Sequence, residues 1–401
     1  MKVAAVILGQ GPSAGGGYTF QKELLNALAG SAADSRHEFC LLYPQNADPA
    51  VRELILGAPI ESDTYSAPGL FERARAAAVR EFPALNRIWN DPGYLDKAAR
   101  KVSAELLWFL GAGAPTAPDL PYITVVWDIE HRVQPWFPEF GGRREWHMRE
   151  TAYRRFLQRA TYVITGTDCG RAEIERFYGL PQSRIRKLPH PTPSFALASS
   201  VETEGDPLAK FALKPGYLLY PAQFWPHKNH INLLAALRLL RERDGLEPVL
   251  VLVGSDMGNR AYVEQKAADW GLQKQLRILG FVPERDLVHL YRNAAALTYL
   301  SFGGPENMPP LEAFALRCPV IAARVDGAPE QLGDAALLVN PAVPAEIAEG
   351  IKRLLGDSQL QAVLRERGRV RAGAWTALDF VRGVFKLLDE FEPVRSAWPR
   401  R

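Results

Sequence analysis

Tyr217-Leu218-Leu219-Tyr220-Pro221-Ala222-Gln223-Phe224-Trp225-Pro226-His227-Lys228-Asn229-His230 is the stretch on which the fold turns. Tyr217–Tyr220 is a short apolar run suited to a strand buried inside a parallel sheet. The loop after it carries His227, Lys228, Asn229 and His230, and leucines at helical spacing follow from Ile231 to Leu240. Strand, loop and helix in that order are the unit of an open α/β sheet, whose ligands bind outside the carboxyl ends of the strands. Lys228 at such an end is placed to meet an anionic group such as a diphosphate. A solvated polar loop before a helix is the alternative these residues leave open.

Working outward, the same unit repeats on both sides. Before it, Val3–Leu8, Glu38–Tyr43, Leu106–Leu110, Ile123–Val126 and Tyr162–Thr165 read as buried parallel strands, with helices over Phe20–Leu28 and Met148–Ala160. After it come Pro248–Val253, Leu276–Leu279, Ala296–Tyr299, Val320–Ala323 and Ala336–Val339, separated by helices such as Ala261–Trp270, Glu284–Arg292 and Pro344–Leu355. The stretch Pro191 to Gly216, rich in Pro, Ser, Ala and Thr, reads as a linker. The expected organisation is α/β, with two Rossmann-like domains at 1–190 and 217–374 facing each other across a cleft, and an amphipathic C-terminal helix in 375–401 packing back on them.

Composition agrees with that class. The chain has 401 residues, 47% hydrophobic and 23% charged, as in ordinary globular proteins. A net charge of +3 gives no argument for nucleic acid. Cys40, Cys169 and Cys318 are too scattered for a disulfide framework or a zinc site. No apolar run is long enough to span a bilayer, and the start, Met1 to Gly9, lacks a signal-peptide pattern, so a cytoplasmic location is expected.

Further motifs sit at other strand ends. Gly9-Gln10-Gly11-Pro12-Ser13-Ala14 fits a dinucleotide pattern, but Pro12 interrupts the turn and no acidic residue closes the next strand; an oxidoreductase remains a lesser alternative. Gly15-Gly16-Gly17 opens a helix where backbone N–H groups can approach an anion, or is a plain turn. Trp127-Asp128-Ile129-Glu130-His131-Arg132 offers acid/base and hydroxyl-binding groups. In Ser301 to Ala315, a Gly/Pro loop ends at Pro309-Pro310, which start a helix whose N-terminus favours an anion, while Glu312 could accept from a ribose diol.

Together these segments resemble the family-4 retaining glycosyltransferases (glycosyl transferases group 1) of the two-Rossmann GT-B fold. Tyr162 to Asp168, Leu279 to Pro283, Cys318 to Ala323 and Gly327-Ala328-Pro329-Glu330 add to the likeness. The resemblance implies transfer of a hexose of mannose, rhamnose or glucose type from a nucleotide-diphosphate sugar to a growing cell-surface polysaccharide or glycolipid, without cofactor or metal. It implies catalytic roles for Lys228, His131, Asp128 and Glu306, and donor binding by Gly16, Gly17, Gln223, Gly254, Phe281, Val282, Asn307, Met308 and Glu312. Gln223 stands where the family has an arginine, and Gly304 where it has its first glutamate, with Glu306 as the expected substitute. Trp127 stands at a frequent histidine position, leaving His131 as the displaced candidate. A degenerate member acting as a binding or scaffolding subunit is the alternative. Arginines from Arg132 to Arg159, interleaved with Trp136, Phe137, Trp146 and Tyr153, suggest either peripheral contact with the inner face of a membrane or a solvated helix face.

Overall fold

The computed structural model describes residues 1–66, 74, 78, 93–112, 117–198 and 208–399. Residues 199–207 of the expected linker lie outside the described residues. Strands β1 (Lys2–Val6), β2 (Glu38–Pro44), β3 (Ser62–Tyr65), β4 (Leu106–Ala112), β5 (Tyr122–Val125), β6 (Tyr162–Thr165) and β7 (Ile185–Lys187) form one sheet in the order β3-β2-β1-β4-β5-β6-β7. Strands β8 (Tyr217–Pro221), β9 (Leu250–Val253), β10 (Leu276–Gly280), β11 (Ala294–Tyr299), β12 (Val320–Ala323) and β13 (Ala336–Val339) form a second, in the order β10-β9-β8-β11-β12-β13. All pairings are parallel. Val3 to Val6 and Tyr217 to Tyr220 are fully buried or nearly so, as strands covered on both faces require.

Both sheets reverse their strand order at one place, between β1 and β4 in the first and between β8 and β11 in the second. Chains leaving the two strands at a reversal turn to opposite faces and open a crevice there. The glycines at 15–17 follow β1, the Lys228 loop follows β8, and Ser301 to Asn307 follow β11. These three segments therefore lie at the two reversals, while Trp127 to Arg132 follow β5 and Leu279 to Pro283 lie at the end of β10.

The edge strands β3 and β7 and the helices Pro49–Leu56 and Ser358–Gly373 were not legible as elements. The helix expected at Met148–Ala160 runs over Arg143–Phe156 and passes into a 3-10 turn. The C-terminal helix, Ala377–Arg395, begins with a capping box in which Thr376 and Asp379 satisfy each other's backbone N–H. It packs on the first domain, with Phe380 edge-on to Phe20 at 5.5 Å and Phe385 against Phe39 at 5.3 Å. Among the described residues, no helix is long and apolar enough to cross a membrane.

Phe380 is fully buried against the first sheet's helix Gly16–Ser31. Phe380→Ala is expected to cost about 3–5 kcal/mol of stability in denaturant unfolding of the full chain. A loss under about 1 kcal/mol would show that the helix does not complete this core.

Candidate functional site

The reversals of the two sheets face each other across a cleft of about 780 Å³, within the usual range for small-molecule sites. On the second domain's side, Asn229 takes the left-handed conformation (φ 59°) that bends the chain from the β8 loop into the helix His230–Leu239. Its side-chain amide donates to Leu300 O (3.1 Å) and Pro341 O (2.7 Å), and the Phe302 N–H donates to His227 O (2.8 Å). These bonds lock the loops after β8 and β11 together. Lys228 Nζ consequently lies 3.0 Å from Tyr299 Oη and 3.4 Å from Ser301 Oγ, facing the cleft. Among the described residues its ammonium makes no ion pair, so its charge is free for a ligand.

The helix Met308–Ala315 begins at the same wall. Pro309 and Pro310 have no N–H, and the Asn307 N–H is taken by Gln331 Oε1 (3.0 Å), so the Met308 N–H and the helix dipole are what this terminus offers an anion. Opposite it, the helix Gly16–Ser31 opens with Gly16 and Gly17, whose N–H groups lack intrahelical acceptors. A Cβ on Gly16 would lie 3.6 Å from Met308 Sδ, and one on Gly17 3.4 Å from the Trp127 ring. The two helix starts thus point at one space. Gly254 (φ 147°) packs so tightly on Ala222 that no side chain fits. Gly254, Phe281 and Val282 line the end of the cleft beneath β9 and β10, and Phe281 is 59% exposed.

Three cleft carboxyls are displaced from ordinary behaviour by burial. Glu312 accepts from Tyr291 Oη (2.7 Å), and burial raises its pKa to about 7. Glu306 reaches the first domain, where it accepts the His190 N–H (3.0 Å) and lies where a side chain on Gly166 would collide with it; burial raises it to about 8. Glu130 projects from the first domain and accepts the Gly304 N–H (2.6 Å) and Gln134 Nε2 (2.8 Å); burial, opposed by those bonds, leaves it at about 7.

The structure corrects the expectation for His131. It does not line the cleft but is fully buried behind it, 3.3 Å from Glu150 Oε2 and 3.1 Å from Tyr178 Oη. Burial and the nearby Arg149 lower its pKa to about 4, so it is a neutral core residue. Asp128 does line the cleft. Burial alone would raise it, but Arg149 (2.5 Å) and the Glu130 N–H (3.0 Å) hold it below the usual range, ionised and unsuited to proton donation. Glu130, one position before His131, belongs to the cluster read as hydroxyl-binding but was given no role of its own. The short helix Glu130–Val133 turns it toward the cleft and His131 toward the interior. Gln223 lines the cleft and bridges the domains, donating to Ser13 O (3.4 Å) and accepting from Trp225 Nε1 (3.1 Å).

The basic patch is largely consumed by ion pairs. Arg132 and Arg154 pair with Glu150, Arg149 with Asp128, and Arg159 with Asp119. Phe137 packs on Phe302 (5.7 Å), while Trp136 stays 70% exposed.

Residues 207–371 match the family model described as glycosyl transferases group 1. The O-antigen chain mannosyltransferase B of Escherichia coli is 29% identical over 236 residues, covering 59% of this chain and 62% of that protein. The chain thus spans less than two thirds of the length of the curated relatives it first matches. Sucrose-phosphate synthase from Thermosynechococcus elongatus superposes over 98% of this chain and 99% of its own with a TM-score of 0.73, at 18% identity. Anabaena HepE, solved with UDP and glucose, covers 97% of this chain and 100% of its own with a TM-score of 0.67, at 16% identity. The architecture is accordingly the GT-B fold.

Glu306 in the folded chain titrates near 8 against an ordinary value of 4.5, so its proton is retained on folding and released on unfolding between those values. Its contribution to stability is fully present below 4.5 and is lost as pH rises toward 8. The melting temperature should therefore fall from about pH 5 to about pH 8, and Glu306→Gln should reduce that fall. An unchanged slope in the variant would place the titration elsewhere.

Proposed function

We propose that the chain transfers a hexosyl group from a nucleotide-diphosphate sugar to a glycan or lipid-linked glycan acceptor of a cell-surface polysaccharide, with retention at the anomeric carbon. The observation that carries this is Lys228, an ammonium with no ion pair among the described residues, held at the order reversal of the second sheet and facing the start of the helix Met308–Ala315. The diphosphate would lie between Lys228, the Met308 N–H and the N–H groups of Gly16 and Gly17. As the bond to the sugar breaks, charge develops on the leaving phosphate, and prearranged donors stabilise it most there. The leaving phosphate oxygen would take the acceptor's proton, so no dedicated protein base is assigned, and no metal is invoked. Glu312 would hold the ribose, with Phe281 and Val282 beside the base. The mannosyltransferase relative supports a mannose-type donor, and Trp136 with the exposed Arg143 and Arg144 supports acceptor docking at a membrane surface.

Gln223, a neutral residue among the groups facing this space, favours a second reading, a nucleotide-binding subunit without turnover. A panel of UDP-, GDP- and dTDP-sugars, assayed for transfer and donor hydrolysis, separates the two. Nucleotide binding without turnover of any donor would sink the transferase.

Lys228→Ala should lower transfer at least about a hundredfold, the scale of losing one donor to a developing oxyanion. An unchanged rate would refute the role of Lys228. Glu312→Ala should weaken nucleotide binding; an effect confined to the acceptor's KM would contradict the ribose contact.

A further inference from the structure

The carboxyl ends of the second sheet's strands set an order along the cleft. Phe281 follows β10, Gly254 follows β9, Lys228 follows β8, and Gly303 and Gly304 follow β11, in the spatial order of the strands themselves. With a nucleoside at the β10 and β9 end and a diphosphate at Lys228, whatever the second phosphate carries must lie at the β11 end. That end is walled by Gly303 and Gly304, which carry no side chains, and by Trp127, Glu130 and His227.

A hexose presents hydroxyl groups and needs acceptors with lone pairs to spare. The other carboxyls nearby face elsewhere. Asp128 is paired with Arg149, Glu139 is held by His227 (2.5 Å) and does not line the cleft, and Glu306 is turned onto His190. Glu130 stands against Gly303 and Gly304 themselves. Its two oxygens offer about four acceptor positions, of which the Gly304 N–H and Gln134 take two. Gln134 also donates to Phe302 O (2.6 Å), fixing the carboxyl against the β11 loop. A Cβ on Gly303 would stand 3.0 Å from Glu130 Cδ, so the carboxyl fills the room that the bare loop leaves. From Lys228 through Ser301 and Gly303 to Gly304 and Glu130 the wall is one run of hydrogen bonds.

We propose that Glu130 is the residue of the first domain that recognises the transferred sugar, its carboxyl hydrogen-bonding the hexose hydroxyls beside Gly303 and Gly304. The assignment rests on the transferase reading above, and it adds a specificity role that the second domain's bare loop does not supply. Because Glu130 also ties the two domains together, a purely structural role must be separated from it.

Binding affinities for UDP, UDP-glucose, GDP and GDP-mannose, measured by calorimetry on the full chain, make that separation. In Glu130→Gln and Glu130→Ala, affinity for the better nucleotide sugar should fall at least about tenfold, while affinity for the matching free nucleotide should change less than about twofold. Glu139→Ala removes another inter-domain acceptor and should weaken nucleotide and nucleotide sugar alike. Equal losses for both ligands in the Glu130 variants, or no loss in Glu130→Gln and in a folded Glu130→Ala, would overturn the assignment. Nucleotide binding by the wild type with the sugar adding nothing would also overturn it and leave the nucleotide-binding subunit standing. Failure of the wild type to bind any of the four ligands would sink the transferase reading and this assignment together.

Discussion

The cleft keeps its shape because carboxyl groups from each domain accept backbone N–H groups of the other. Glu130 and Glu139 leave the first domain for the N–H groups of Gly304 and His227, and Glu306 and Glu330 leave the second for those of His190 and Asp168. A backbone N–H is fixed in direction by its own strand or turn, so four such bonds specify an orientation in a way that flexible surface ion pairs do not. The ion pairs that join the domains, the half-buried Lys22 with Glu284 (2.6 Å) and the exposed Lys187 with Glu330 (2.9 Å), add charge attraction that salt screens, the exposed one most. Two of the bridging carboxyls, Glu130 and Glu306, also line the cleft. A ligand in the cleft would therefore meet the same atoms that set the domain orientation.

This double use explains what was legible in the sequence. Strands covered on both faces announce themselves as apolar runs, and Val3–Leu8 and Tyr217–Tyr220 became β1 and β8 with small shifts at their ends. The edge strands β3, Ser62–Tyr65, and β7, Ile185–Lys187, are half open to solvent and carry polar residues, so no apolar run marks them. Lys228 lies where strand-end reasoning put it because topology fixes that position locally, and Gly254 and Phe281, which the resemblance implied, line the same cleft with Glu312 at its helix start. Glu130 and His131 could not be told apart that way. Which of two neighbours faces a cleft depends on the short turn Glu130–Val133 and on Glu150, which arrives from a different helix.

The neutral positions acquire a purpose in the same frame. Gln223 spends its amide on Ser13 across the cleft and on Trp225 beside it. A cation there would meet the start of the helix Gly16–Ser31, whose dipole is already positive at that end. Gly304 has φ 92°, a conformation that a side chain would strain, and its N–H serves Glu130. The carboxyl that faces this loop therefore comes from the first domain.

The C-terminal helix Ala377–Arg395 places the last stretch of the described chain inside the core of the first domain. On the ribosome the first sheet emerges early, yet Phe380, Val381, Val384 and Leu388 emerge only after the whole second sheet. Until then the helix Gly16–Ser31 exposes an apolar face that lacks its cover. The first domain's core therefore stays unfinished while the whole second sheet is made.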